Sequence, residues 1–197
     1  MSWKYRPSAH RILESEFPNL SNSDWSIKSP QDDRYQCIAW AACKTDKKWW
    51  PISPDDFPVF PPDHFWPPGV PLNDMVDSFI QAFGTLGYYQ CDNPSFEFGY
   101  QKIAIYIDST GSVSHMARQS FWGYGWLSKL GPNEDILHPD LSNVSSHLYL
   151  NYAYGNAQRF LKRSWWTAFI RLQLITCAWH TFKFWCFRRV FTYRNRV

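Results

Sequence analysis

A chain of 197 residues, 45% of them hydrophobic and 19% charged, is long and apolar enough to bury its own core, which excludes a disordered or fibrous protein. Six of its 20 basic residues and none of its 17 acidic ones follow Ser164. The body before that point is therefore mildly acidic, with 14 basic residues against 17 acidic, and has no electrostatic case for binding nucleic acid.

The N-terminal segment MSWKYRPSAHRI lacks the apolar run of a secretion signal, so the expected compartment is the cytoplasm, with reduced thiols. The first thirty residues are polar and turn-rich, and Trp25 and Ile27 anchor a short extended piece. YQCIAWAACK then reads as a helix. Cys37, Ile38, Ala41 and Ala42 fall on one side, alanine favours the helical state, and Asp32 or Asp33 stands ahead as a cap or first-turn acid. Residues 49–71 are dense in proline and carry Trp49, Trp50, Phe57, Phe60, Phe65 and Trp66, which predicts a long rigid loop with rings to bury.

Asn73 is the expected N-cap of the most regular helix, with Val76, Phe79, Ile80, Phe83 and Leu86 on one stripe and Gly87 past its end. QKIAIYID alternates as a strand, placing Ile103, Ile105 and Ile107 on one face. DSTGS supplies a hairpin turn, VSHMARQ the next strand, FWGYG another turn and WLSKLG a third strand. From Pro132 the reading is of loops, with a closing helix over Ala157–Arg163. The fold class is α+β, with residues 1–163 as the domain and 164–197 as a basic aromatic extension.

A thiol hydrolase needs a thiolate, a base, a group to orient that base, and donors for an oxyanion. Cys37 in a first helical turn would gain from the partial positive charge there and from free N–H groups. On the strand after the hairpin, Ser114 and Met116 face one way and His115, Ala117 and Gln119 the other. His115 is the candidate base, and Ser128 on the adjacent strand the nearest orienter, ahead of Lys129. Gln31 could turn an amide toward an oxyanion. The bland reading makes Cys37 a small apolar core residue and His115 a hydrogen-bonded structural one. His64 is a second candidate base, and His10, His138 and His147 are expected at the surface. Trp40, Trp49, Trp50 and Trp66 could stack on a sugar or a proline-rich peptide, or fill the core. Five cysteines without CxxC or Cys/His metal spacing predict no metal or cofactor.

The strings YQCIAWA, FWPPGVP, FIQAFGTLGY, GYQKIAIYID, SHMARQ and WLSKLGPNEDILH are together similar to an uncharacterised bacterial family of unknown function, in order from about Phe17 to Arg163. Members of that family usually carry Asn before the cysteine and a more polar histidine strand, from which Gln36 and Met116 depart. More distantly, a Cys-led helix followed by a His-led strand resembles the papain-like amidases and peptidases, including the CHAP type. That resemblance implies a papain-like arrangement, an N-terminal helix packed on a small antiparallel sheet. It makes Cys37 the nucleophile and His115 the base; for the third polar residue of such enzymes WLSKLG offers only Ser128 and Lys129, and Gln31, Gln36, Trp40 and Trp66 are the candidate oxyanion and substrate-binding residues. The reaction implied is hydrolysis of an amide in a peptide or peptidoglycan-like substrate. The alternatives are a non-catalytic protein-binding module of the same fold and a toxin or immunity component.

The extension opens with an apolar run, Trp165 to Phe187, of about the length of a membrane span. Arg171, His180 and Lys183 interrupt it at high cost to a true span. A helix on a membrane surface or docked on a protein partner fits better, which would make the protein peripherally membrane-associated. An extension with no selected role is the remaining reading.

Overall fold

The computed structural model describes residues 7–170 except 56, 58, 146, 147, 150 and 151. The membrane-length run past Ile170 and His147 therefore lie outside the described residues. No helix among those described is long and apolar enough to cross a membrane.

The described residues begin with a helix the sequence had not suggested, α1 (Pro7–Glu16), followed by a 3-10 turn at Pro18–Leu20 and strand β1 (Ser26–Ser29). Next come α2 (Cys37–Ala41), the two-residue strands β2 (Lys48–Trp49) and β3 (His64–Phe65), and α3 (Val76–Gly84). Strands β4 (Tyr89–Cys91), β5 (Tyr100–Ile107), β6 (Val113–Gln119), β7 (Trp126–Lys129) and β8 (Asp135–His138) follow. A 3-10 turn (Leu141–Val144), the small pair β9 (Leu148–Tyr149) and β10 (Tyr152–Ala153), the long β11 (Asn156–Ser164) and α4 (Trp165–Ile170) are the last of the described elements.

Seven strands form one antiparallel sheet in the order β1-β8-β7-β6-β5-β11-β4. The hairpin at its centre is fixed locally: Asp108 Oδ1 accepts from the backbone N–H groups of Thr110 and Ser112, and Gly111 takes φ +89°. The two ends of the proline-rich loop meet in a parallel pair, Lys48 beside His64 and Trp49 beside Phe65. Asn73 does not cap α3. The N-cap is Met75, while Asn73 Oδ1 accepts from Met75 N–H and the Ser78 hydroxyl just ahead of the helix.

The segment Ala157–Arg163, expected as a helix, is strand β11, paired on one side to β5 and on the other to β4. Its composition favours a helix, but a strand there satisfies the backbone of two neighbours at once.

Two apolar layers sandwich the sheet. On one face Cys37, Ile38 and Trp40 of α2, Phe79 and Phe83 of α3, and Trp49 and Trp66 pack on Ile103, Ile105, Met116 and Leu161. On the other, Leu13 of α1, Phe17, Leu20, Trp25, Val144 and Tyr154 pack on Ala104, Tyr106, Ala117 and Ile136. The α+β class is as expected. The sheet is larger than the small one implied by papain-like proteins, and helical segments cover both of its faces.

Candidate functional site

Cys37 opens α2, but the helix is only five residues long and lies against the sheet. The thiol is buried among apolar side chains on the face that carries Met116. Burial pushes it up to about 11, and the nearby backbone N–H groups and the charge of Lys129 offset this only in part. At neutral pH the group is a thiol.

His115 is the next residue back from Met116 on a pleated strand, so it points through to the opposite face. There it lies flat on Tyr154, ring centroids 4.3 Å apart at 12°, and edge-on to Tyr106. The sheet stands between Cys37 and His115. The expected dyad is therefore corrected: the two residues share a domain but not a site.

The histidine does meet Ser128, as its strand neighbour predicts. His115 Nε2 is 3.0 Å from the Ser128 hydroxyl, and a second histidine, His138, approaches that hydroxyl at 2.9 Å from the other side. His138 Nδ1 lies 2.7 Å from the carbonyl of Asp140, which can only accept, so Nδ1 carries the hydrogen. Ser128 must then donate to His138 Nε2 and accept from His115 Nε2–H. His115 Nδ1 is left bare, buried and without a hydrogen-bond partner. All three side chains are fully buried, so His138 is not the surface residue the sequence suggested. Burial holds His115 down at about 3, reinforced by the charge of His138. It holds His138 down at about 4 against the pull of the Asp140 carbonyl and carboxylate. The trio is a neutral internal relay closed to solvent.

The remaining expected site residues scatter. Gln31 sits at the surface and donates to Asn133. Gln36 is the N-cap of α2, makes no side-chain cap bond, and reaches the Trp49 carbonyl at 3.4 Å. Asp32 serves Arg34 rather than the helix, accepting from its backbone N–H and its guanidinium. Trp66 is a core ring on Phe79 that donates to the Pro71 carbonyl. His64 is held by Asp63 at 2.9 Å, and His10 lies against Trp25. Trp40 stacks on Tyr35 beneath the guanidinium of Arg118. Cys37 and Cys91 are free thiols. No group of three or more His, Cys, Asp or Glu able to hold a metal occurs among the described residues.

Sequence reasoning missed a cleft of about 190 Å³ beside α2, lined by Ser29, Asp32, Arg34, Tyr35, Trp40 and Asp135. Asp135 is 1% exposed. Its Oδ2 accepts from the hydroxyls of Ser29 (2.5 Å) and Tyr35 (3.3 Å), whereas its Oδ1 has no hydrogen-bond partner. Burial raises this carboxyl to about 6, although both hydroxyls and the charges of Lys129 and Arg118 pull it down. The signal was faint: an acid in NEDILH, at the head of a strand otherwise read as loop.

The thiol's environment gives a direct check. Iodoacetamide at about pH 6 is expected to modify Cys37 only after unfolding, and His115→Ala should not change its rate. Rapid labelling of Cys37 in the folded protein, slowed by His115→Ala, would restore the dyad.

Fold and site together define an α+β domain whose described residues form a seven-stranded antiparallel sheet, with the sealed His115–Ser128–His138 cluster on one face and an open cleft at Asp135. Residues 26–162 match the family described as a domain of unknown function, DUF7689, and the chain belongs to that family. No curated protein and no solved structure shows significant similarity to it.

Proposed function

We propose that this domain is a non-catalytic binding module for a protein or peptide partner, with the Asp135 cleft as its point of recognition. The observation that carries the reading is a carboxylate oxygen on a 1% exposed side chain, left without a donor at the wall of a cleft. A partner N–H group brought up to that oxygen, which the folded chain keeps from solvent, would supply the missing hydrogen bond and offset the cost of its burial. The cleft is smaller than the pockets that enclose whole small-molecule ligands, and is of the size of one amino-acid side chain. Exposed Phe57, Val59 and Phe60 on the proline-rich loop offer apolar contact area for a partner. Hydrolysis by Cys37 and His115, as in papain-like enzymes, is set aside because each group is neutral, buried and on its own face of the sheet.

The test is a titration of the ¹⁵N-labelled protein with the blocked amino acids N-acetyl-lysine methylamide and N-acetyl-norleucine methylamide. The lysine compound is expected to shift the amide resonances of Tyr35, Trp40 and Asp135, and Asp135→Asn should abolish the response. An equal response to norleucine, or one that survives Asp135→Asn, would remove the cleft from the account.

A further inference from the structure

One end of the sheet carries a band of rings that the cleft does not use. The end of β6, the start of β7, the start of β5 and the end of β11 all meet there, because these strands run antiparallel. The turn between β6 and β7 exposes Trp122 (55%) and Tyr124 (79%), the loop ahead of β5 exposes Phe98 (74%), and the first turn of α4 exposes Trp166 (76%). Phe98 and Trp122 are joined through the half-buried rings between them. Trp165 stacks on Phe121 at 4.6 Å and meets Phe98 edge-on at 5.1 Å, while Phe121 touches Trp122 at 4.9 Å. Phe96 closes over Gly123, leaving no room for a side chain between them. The turn is thus held in place with its rings facing outward.

Two properties of this end point to one occupant. Its exposed rings are mainly Trp and Tyr, whose apolar bodies and polar tips suit the boundary between lipid headgroups and acyl chains. It is also where the chain enters the segment after Ser164, which carries six basic residues and no acidic one. A protein interface would not require that one-sided charge, whereas an anionic bilayer surface attracts it. We propose that this end of the sheet docks on an anionic membrane surface, the rings entering the headgroup region and the basic segment adding long-range attraction. This goes beyond the cleft reading and does not depend on it.

Co-sedimentation of the full chain with vesicles tests it. Vesicles of phosphatidylcholine with about 30 mol% phosphatidylserine are expected to carry the protein down, and pure phosphatidylcholine to carry down far less. Raising sodium chloride from about 0.1 M to about 0.5 M should weaken the binding. The variant Trp122→Ser/Tyr124→Ser, in which both changed side chains are exposed, should keep its circular dichroism spectrum and lose partitioning by about tenfold or more. Binding unchanged in that variant, or no binding of the wild-type chain to the anionic vesicles, overturns the proposal. So does a dimer in gel filtration that the same variant dissolves, since the rings would then cover a second copy.

Discussion

Acidification from about pH 7 to about pH 4 is expected to remove roughly 3–5 kcal/mol of folding stability, through two histidines and against one aspartate. His115 and His138 are neutral in the folded state and titrate at about 3 and about 4. In the unfolded chain each takes up a proton near pH 6.5. Their contribution is fully present above that pH. Below it each costs the folded state up to about 1.4 kcal/mol per pH unit until its own folded value is reached. Asp135 works in the opposite sense, because its folded carboxyl is held up at about 6. Between about pH 6 and about pH 4 the folded form already holds that proton and the unfolded form does not, so acid favours folding there by up to about 1.4 kcal/mol per unit. Two histidines against one aspartate leave a net loss. Urea unfolding across this range checks it, and His138→Gln, which cannot take up a proton, should flatten the acid limb. A wild-type profile that stays flat from pH 7 to pH 4 would contradict the buried neutral relay.

The second large effect is at Gly155, between β10 and β11. A Cβ there would lie 1.9 Å from the Ile107 carbonyl oxygen and 2.7 Å from the Asp108 Cα, at φ +65°. Both obstacles are backbone at the end of β5, so no side chain can swing aside. Relief requires parting β5 from β11 at the Asn156–Ile107 pair and shifting Tyr154. Tyr154 carries the His115 ring, and its carbonyl accepts from the Ser114 hydroxyl. Gly155→Ala is therefore expected to cost about 3 kcal/mol or more. Gly69→Ala is the control: φ is +80° there too, but the space is open, and the cost should be about 1 kcal/mol. Equal losses in the two variants, read from chemical denaturation, would show that contact with Ile107 is not what selects glycine at 155.

The centre of the fold was legible because local signals agreed there. Alternating isoleucines made β5, the DSTGS turn closed the hairpin, and the spaced apolar residues of α3 gave a helix. Pairing β6 with β7 also placed Ser128 beside His115. What could not be read was decided by distant partners. Ala157–Arg163 has helix-favouring residues, yet its buried Leu161 and Arg163 are set by the slot between β4 and β5. His138 looked like a surface residue because the hydroxyl and carbonyl that allow its burial come from Ser128 and Asp140. The Cys37–His115 pairing failed on a parity argument. The sequence placed His115 opposite to Met116 correctly, but nothing local reveals that α2 covers the Met116 face. The cleft was hidden for a similar reason, since Asp135 joins Ser29 and Tyr35 from more than 90 residues away.

The position of β11 also bears on the time course of folding. Among the described residues it is the last strand of the sheet in chain order, yet it fills an interior slot between β5 and β4, while β1 pairs with β8. Two closures of long sequence separation must therefore be made before the sheet is whole, and the loop entropy for each is lost before its contacts are gained. Until β11 arrives, β5 presents an unpaired and largely apolar edge, the kind of edge on which unfinished chains associate. Folding on the slow, millisecond-to-second scale of sheets with distant pairings follows from that topology.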